Sequence, residues 1–153
     1  MNKVLFIWLM ILSSSPGQSE KSFDNYLQEL RAKFKDVPQF YDDSSDLKNV
    51  RFLDAREKEE FEISHIRNAE WIGSDNLDKR HLDSIGHDIK IVVYCSVGYR
   101  SSLVVRQIRS AGFLNTYNLF GGIFKWANDG RELGKVVQLL TGFTDTTVSG
   151  HSI

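Results

Sequence analysis

An α/β fold is predicted, with a central, mainly parallel sheet of about five strands and helices on both of its faces. Three observations carry that expectation. Short runs rich in β-branched and aromatic residues alternate along the chain with segments of helical spacing. The strongest run, residues 89–94 with Ile91-Val92-Val93 at its centre, is almost continuously apolar, as suits a strand buried on both faces. Glycines stand at the junctions where one pattern gives way to the next, at Gly98, Gly112 and Gly121-Gly122.

In chain order, Lys3 precedes an unbroken apolar run from Val4 to Leu12, followed by the small, polar stretch Ser13 to Ser19. A positive start, a short apolar stretch and small residues at the end form the pattern of a secretory signal peptide over residues 1–19, with cleavage expected after Gly17 or Ser19. The apolar run is too short to span a bilayer core, which takes about 20 residues. Phe23, Tyr26, Leu27, Leu30 and Phe34 recur at helical spacing, which predicts an amphipathic helix over 22–35, capped by Ser22 and ending before Val37-Pro38. Its aromatic stripe is expected in the core. Strands are predicted at 50–53 and 69–72, with a helical turn at 58–63 that turns Phe61 inward and a polar helix at 75–84. After the strand at 89–94 come a helix at 101–111 closed by Gly112, a strand at 116–119 and a short helix at 123–128. The domain plan is a signal at 1–19, the amphipathic helix within 20–37, a catalytic domain at 38–137 and a polar tail at 138–153.

A chain of 153 residues has room for one domain with a proper core. Hydrophobic residues at 41%, charged residues at 25% and a net charge of −1 with scattered basic residues exclude an electrostatic footprint for nucleic acid or an anionic membrane surface. His65, His81, His87 and His151 show no metal-ligand spacing, and a single cysteine cannot complete one. Nor can one cysteine form an internal bridge in an exported chain, so Cys95 is either an inert core residue or a working thiol.

Its surroundings favour the second. In parallel sheets ligands bind beyond the carboxyl ends of the strands, where helix N-termini present free N–H groups. Cys95 follows the most buried strand, in the segment Tyr94-Cys95-Ser96-Val97-Gly98-Tyr99-Arg100-Ser101-Ser102, with a helix predicted at its end. The helix N-terminus supplies partial positive charge that favours a thiolate. Gly98 lets the backbone curl so that successive N–H groups point inward. Arg100 brings a full positive charge with forked donors suited to oxyanions. A thiolate so placed can attack an electrophilic centre carried by an anion.

The segment Cys95 to Arg100 resembles the six-residue active-site loop of rhodanese-type sulfurtransferases. The likeness extends over most of residues 38–137. Leu53-Asp54-Ala55-Arg56-Glu57, Glu60-Phe61, His65-Ile66 and Ala69 resemble the family's first signature, and Ala111-Gly112-Phe113 with Leu119-Phe120-Gly121-Gly122-Ile123-Phe124-Lys125-Trp126 resemble its closing one. The resemblance implies transfer of sulfane sulfur in two steps. The Cys95 thiolate takes the outer sulfur of thiosulfate or a persulfide, holds it as a cysteine persulfide, and yields it to a thiophilic acceptor such as a thiol, on a small molecule or a protein. No metal or organic cofactor is implied, and no nucleic acid or stable membrane partner. Ser96, Val97, Gly98, Tyr99 and Arg100 are expected to bind the donor.

Asp54 and Arg56 are expected to hold neighbouring loops rather than to react, His65 to be structural, Trp126 to be core, and Ser101 to donate to the loop or cap the helix. Some positions depart from the family pattern. Ser64 and Arg67-Asn68 alter a turn, and Ser96 stands where many active members carry arginine, which removes a charge that thiosulfate would use. Cysteine-based phosphatases place one more residue between cysteine and arginine than the four found here, so the tighter loop suits a single sulfur better than a phosphate. The alternatives are a non-catalytic binding module of the same family, a thiol redox sensor, and a phosphatase. The expected location is exported, in a bacterial periplasm.

Overall fold

The computed structural model describes residues 16–41, 47, 49–75, 77 and 79–134. In chain order these form α1 (Pro16–Lys33), β1 (Gln39–Phe40), β2 (Val50–Asp54), α2 (Lys58–Ile63), β3 (Glu70–Trp71), α3 (Lys79–Ile85), β4 (Lys90–Tyr94), α4 (Tyr99–Ser110), β5 (Thr116–Leu119) and α5 (Gly122–Asn128). The strands make one five-stranded sheet in the order β1-β5-β4-β2-β3, with every pairing parallel.

The apolar run of β4 explains why this strand lies at the centre. Successive side chains of a strand point to opposite faces. Ile91 and Val93 join one buried cluster with Phe34, Leu53, Leu82, Val104, Ile108 and Phe113. Val92 and Tyr94 join another with Phe52, Leu119, Ile123 and Trp126. A strand that feeds two cores has no polar face to show, so alternation vanishes from its sequence. Each fully buried aliphatic side chain of this kind contributes about 1.5–3 kcal/mol.

Parallel pairing brings the strand ends to one edge. Asp54 pairs with Tyr94, so Cys95 leaves β4 beside the point where the chain leaves β2. Asn118 pairs with Val93 near the end of β5, on the other side of β4. This edge positions all the residues considered below.

Several boundaries differ from expectation. α1 starts at Pro16 rather than Ser22, running through part of the stretch read as a cleavage region, and stops at Lys33 because the chain turns at 34–36. Leu27 and Phe34 of its stripe are buried, whereas Tyr26 is exposed. β1 was not foreseen: a two-residue strand next to Pro38 has no periodicity to detect, and it exists through its parallel pairing with β5. β3 is shorter than 69–72, and the helix predicted at 75–84 becomes Lys79–Ile85. α4 begins at Tyr99, not Ser101, because Gly98 in a left-handed conformation (φ 110°) turns the chain early and its carbonyl accepts from the Ser102 N–H. Phe61 is half-buried and stacks on the His65 ring instead of entering the core. The signal-like residues 1–15 and the tail from 138 lie outside the described residues.

Candidate active site

The loop after β4 is held from behind by a second helix. The Ile123 N–H donates to the Cys95 carbonyl at 2.9 Å, and the Phe124 N–H to the Ser96 carbonyl at 3.1 Å. The N–H and C=O of a trans peptide point in opposite directions. The N–H groups of Ser96 and Val97 are therefore turned away from α5. The contact is close enough to require glycine, since a Cβ at Gly122 (φ 58°) would lie 2.4 Å from the Cys95 carbonyl oxygen.

On the other side α4 begins. Its first internal acceptor is the Gly98 carbonyl, so the N–H groups of its opening turn have no carbonyl within the helix. The Gly98 N–H points at Cys95 Sγ, 3.1 Å away. Cys95 is a free cysteine with only 1% of its surface exposed. A donor has to bring a small terminal atom down into the loop to reach it.

Ser101 is buried, with its Oγ 3.4 Å from Sγ and 2.6 Å from Asn118 Oδ1. Gln39 orients that amide. Its Nε2 donates to the Val37 carbonyl, and its Oε1 accepts from Asn118 Nδ2 at 2.8 Å. A hydroxyl has one proton, so Ser101 donates either to Asn118 or to the sulfur. With a neutral thiol it can donate to Asn118 and accept from the S–H; with an anionic sulfur it can rotate to donate. The N-cap of α4 is Gly98, so no side-chain cap bond is made by Ser101, and Ser102 Oγ back-bonds to the Gly98 carbonyl at 2.7 Å within the first turn.

Arg100 stands at the rim, as expected, but not free. Its guanidinium forms a fork with Glu60, at 2.9 Å and 3.2 Å, and also donates to Ser96 Oγ at 3.1 Å; Glu57 lies 3.6 Å away. Burial would lower the Arg100 pKa, but the hydrogen bonds and charge of Glu60 outweigh it and raise it. Burial likewise opposes ionisation of Glu60, yet the bonds from Arg100 and from the Glu57 N–H hold its carboxyl below the ordinary value. Glu60 thus closes the capping box of α2 and clasps the loop arginine at once.

Asp54 and Arg56 lie beneath this. Both are buried, and the Arg56 guanidinium pairs with both Asp54 carboxylate oxygens and donates to the Ser64 carbonyl at 2.6 Å. Since Arg56 precedes α2 and Ser64 follows it, the pair ties down both ends of the helix that presents Glu60. Tyr94 packs on the same cluster, its hydroxyl accepting from the Ile66 N–H. Tyr99 meets Phe34 edge to face at 5.3 Å, with Lys33 Nζ 4.8 Å from its ring centre. Val97 and Gly98 line a small recess with Leu27 and Arg31 of α1. His65 bonds through Nδ1 to the Phe61 carbonyl, and Trp126 is buried against Phe52.

The structure therefore gathers Cys95 to Ser101 and places Asp54 and Arg56 behind them as scaffold. Glu60, Asn118 and Gly122 were not singled out as site residues. Glu60 and Gly122 lay within the motifs that carried the resemblance, whereas nothing near Asn118 marked it.

A family model of the rhodanese-like domain matches residues 36–129. The chain belongs to the rhodanese-like domain family. Among curated relatives, the tRNA uridine(34) hydroxylase of Yersinia pestis (strain Pestoides F) is 32% identical over 123 residues, covering 77% of this chain and 34% of the relative. The chain thus spans about a third of the length of the curated relatives it matches. A rhodanese-like domain from Anabaena superposes with a TM-score of 0.56 at 24% identity, over 70% of this chain and 81% of that one. The thiosulfate sulfurtransferase of Pseudomonas aeruginosa does so with a TM-score of 0.61 at 18% identity, over 74% of this chain and 23% of that one. Both likenesses are of the rhodanese-like fold.

Proposed function

We propose that the protein is a sulfurtransferase that carries sulfane sulfur as a persulfide on Cys95. The observation that carries this reading is the loop itself: a buried free thiol touched by the Gly98 N–H, with the Ser96 and Val97 N–H groups turned away from α5. In the loading step the Cys95 thiolate attacks the outer sulfur of the donor. The donor S–S bond breaks, its electron pair leaves with the remainder, and a new S–S bond forms at Sγ. The N–H groups of the loop stabilise the charge on the outer sulfur, and a thiol acceptor reverses the chemistry in the second step.

Mass spectrometry of the protein after incubation with thiosulfate or a persulfide tests this. An added sulfur of about 32 Da, from atomic mass, that is absent in Cys95→Ala is expected. A thiol left unmodified by every sulfane donor would overturn the reading and favour a binding module; oxidation of Cys95 without sulfur uptake would favour a redox sensor.

A phosphatase reading is disfavoured because four residues separate Cys95 from Arg100, one fewer than in cysteine-based phosphatases, and the tighter loop suits a single sulfur better than a phosphate. The hydroxylase activity named for the Yersinia relative is that of a much longer chain and is not carried over. We further propose export, on the pattern of Lys3, the apolar run to Leu12 and the small residues after it. The mature N-terminus of the protein made in a bacterial host is expected after Gly17 or Ser19, leaving Leu27 and Phe34 in place; recovery of the intact chain from the cytoplasm alone would refute export.

A further inference from the structure

We infer that Gln39 and Asn118 are positioning residues for Cys95: they turn the Ser101 hydroxyl so that a lone pair, not its proton, faces Sγ, and so favour the loaded persulfide over the empty thiolate. The inference rests on the sulfur-transfer reading and adds to it the control of which state the cysteine holds.

The direction of the hydrogen bonds is set at the Val37 carbonyl, a group that only accepts. Gln39 turns its amide nitrogen to that carbonyl at 3.0 Å. Its oxygen is left to face Asn118, where it accepts from Nδ2 at 2.8 Å. Asn118 Oδ1 is thereby fixed toward Ser101, 2.6 Å from Oγ. An amide oxygen has no proton to give, so the single proton of Ser101 fills that contact. What remains toward Sγ, 3.4 Å away, is oxygen lone pair. A polarity that starts at the backbone of residue 37 thus reaches the sulfur through three side chains.

Packing holds the series in place. Gln39 and Asn118 stand opposite each other in the parallel pairing of β1 with β5. Ser101 and Asn118 are 0% and 3% exposed, so turning the hydroxyl to the sulfur would leave Asn118 Oδ1 buried and unpaired. The Asn118 amide nitrogen lies 3.2 Å from the place a Cβ would take on Gly98, so the loop backs it from the other side.

The states of Cys95 meet this lone pair differently. A neutral S–H donates to it. A thiolate sets its charge against it, so Ser101 opposes on one side what the Gly98 N–H favours on the other. In the persulfide anion the charge has moved to the outer sulfur, which is not the atom Ser101 contacts. Loading from a persulfide then runs Cys95–SH + R–S–S⁻ → Cys95–S–S⁻ + R–SH. One S–S bond breaks and one forms, the proton of Sγ ends on the departing thiol, and nothing is oxidised or reduced overall.

The rate of Cys95 alkylation by iodoacetamide, followed against pH on the full chain, tests this. The charged groups around the loop are Arg100 with Glu60 and Glu57, the Asp54–Arg56 pair, and Arg31 of α1, and all of them stay unchanged in the variants. In Asn118→Leu the Ser101 proton is released to the sulfur, and the midpoint of the profile should fall by about one pH unit, a tenfold gain in rate below the wild-type midpoint. The plateau at high pH should not change. Gln39→Leu leaves every neighbour of the sulfur in place but frees the Asn118 amide to turn over, and it should shift the midpoint in the same direction. Gln39→Glu still accepts from Asn118 and should not reproduce the shift. The Ser101→Ala/Asn118→Leu double variant should lose it, having no hydroxyl proton to turn.

A second readout is the ratio of loaded to empty Cys95, by mass spectrometry, in a fixed mixture of cysteine and cysteine persulfide. Above the wild-type midpoint this ratio should fall about tenfold in Asn118→Leu. A midpoint that stays put in both leucine variants overturns the inference. So does a shift that survives removal of Ser101, or a raised plateau alone, which would report a loosened loop. If no sulfane donor loads the wild type, the sulfur-transfer reading fails, while the alkylation profiles, which need no donor, still decide the polarity of Ser101.

Discussion

Two arginine–carboxylate pairs lie close together at the carboxyl edge of the sheet, and they are built for different ends. Asp54 and Arg56 sit two residues apart, with side chains 0% and 5% exposed, and their side chains bond to each other and to the Ser64 carbonyl. Glu60 and Arg100 come from elements 40 residues apart, and their side chains are 27% and 31% exposed. The chemistry of the fork is the same. A pair cut off from water is committed, because either partner left alone would be an uncompensated buried charge. A pair that water can reach is exchangeable: its members can turn to solvent or to a ligand at small cost. Scaffold and rim are thus distinguished by desolvation, not by residue type.

The largest effect should come from breaking the committed pair. Asp54→Ala strands the Arg56 guanidinium and loosens both ends of α2; a loss of about 3–5 kcal/mol is expected in chemical denaturation. If it costs no more than Glu60→Ala, the contrast between the pairs fails. Next comes the backbone between them. Gly122→Ala drives a methyl group into the Cys95 carbonyl at a left-handed residue, so the rate of sulfur uptake should fall by about tenfold or more as the loop N–H groups lose their alignment. Far-ultraviolet circular dichroism on the same sample distinguishes this from global unfolding. Glu60→Ala should be milder, about 0–1 kcal/mol, since Arg100 regains water.

The smallest effect is a pH dependence. The folded-state pKa of Glu60 lies below its ordinary value of 4.5, so its contribution to stability is full above that value and is lost as pH falls through the lowered one. Acid unfolding of Glu60→Gln should therefore be shallower than that of the wild type below about pH 4.5. An unchanged acid limb would mean that the pair contributes nothing measurable.

The central strand and the loop were legible because their causes are local. Burial on two faces erases alternation from 89–94, and Gly98 at a strand-to-helix junction announces a curled backbone. The Glu60–Arg100 clasp was not legible, because it depends on β2 and β4 being neighbours in register, which brings α2 over the start of α4. Asn118 is a similar case. Its amide matters only because parallel pairing sets it beside Gln39 on one strand and Ser101 on the helix opposite. The Gly121-Gly122 pair was visible as punctuation, but not the carbonyl that comes within reach of it. The sequence shows the charge of Arg100 beside the loop without its partner Glu60, which comes from a helix 40 residues away.

The grip of α5 on the Cys95 and Ser96 carbonyls has a consequence for measurement. The Ile123 and Phe124 amides are bonded to the reactive loop itself, so their exchange with solvent deuterium reports whether the loop is closed, without any label on the sulfur. Loading an atom onto Sγ that the loop N–H groups hold should tighten that closure and slow the exchange of both amides. A release step that opens the loop would show as faster exchange at those same two positions, giving a record of the catalytic cycle from residues that never touch the substrate.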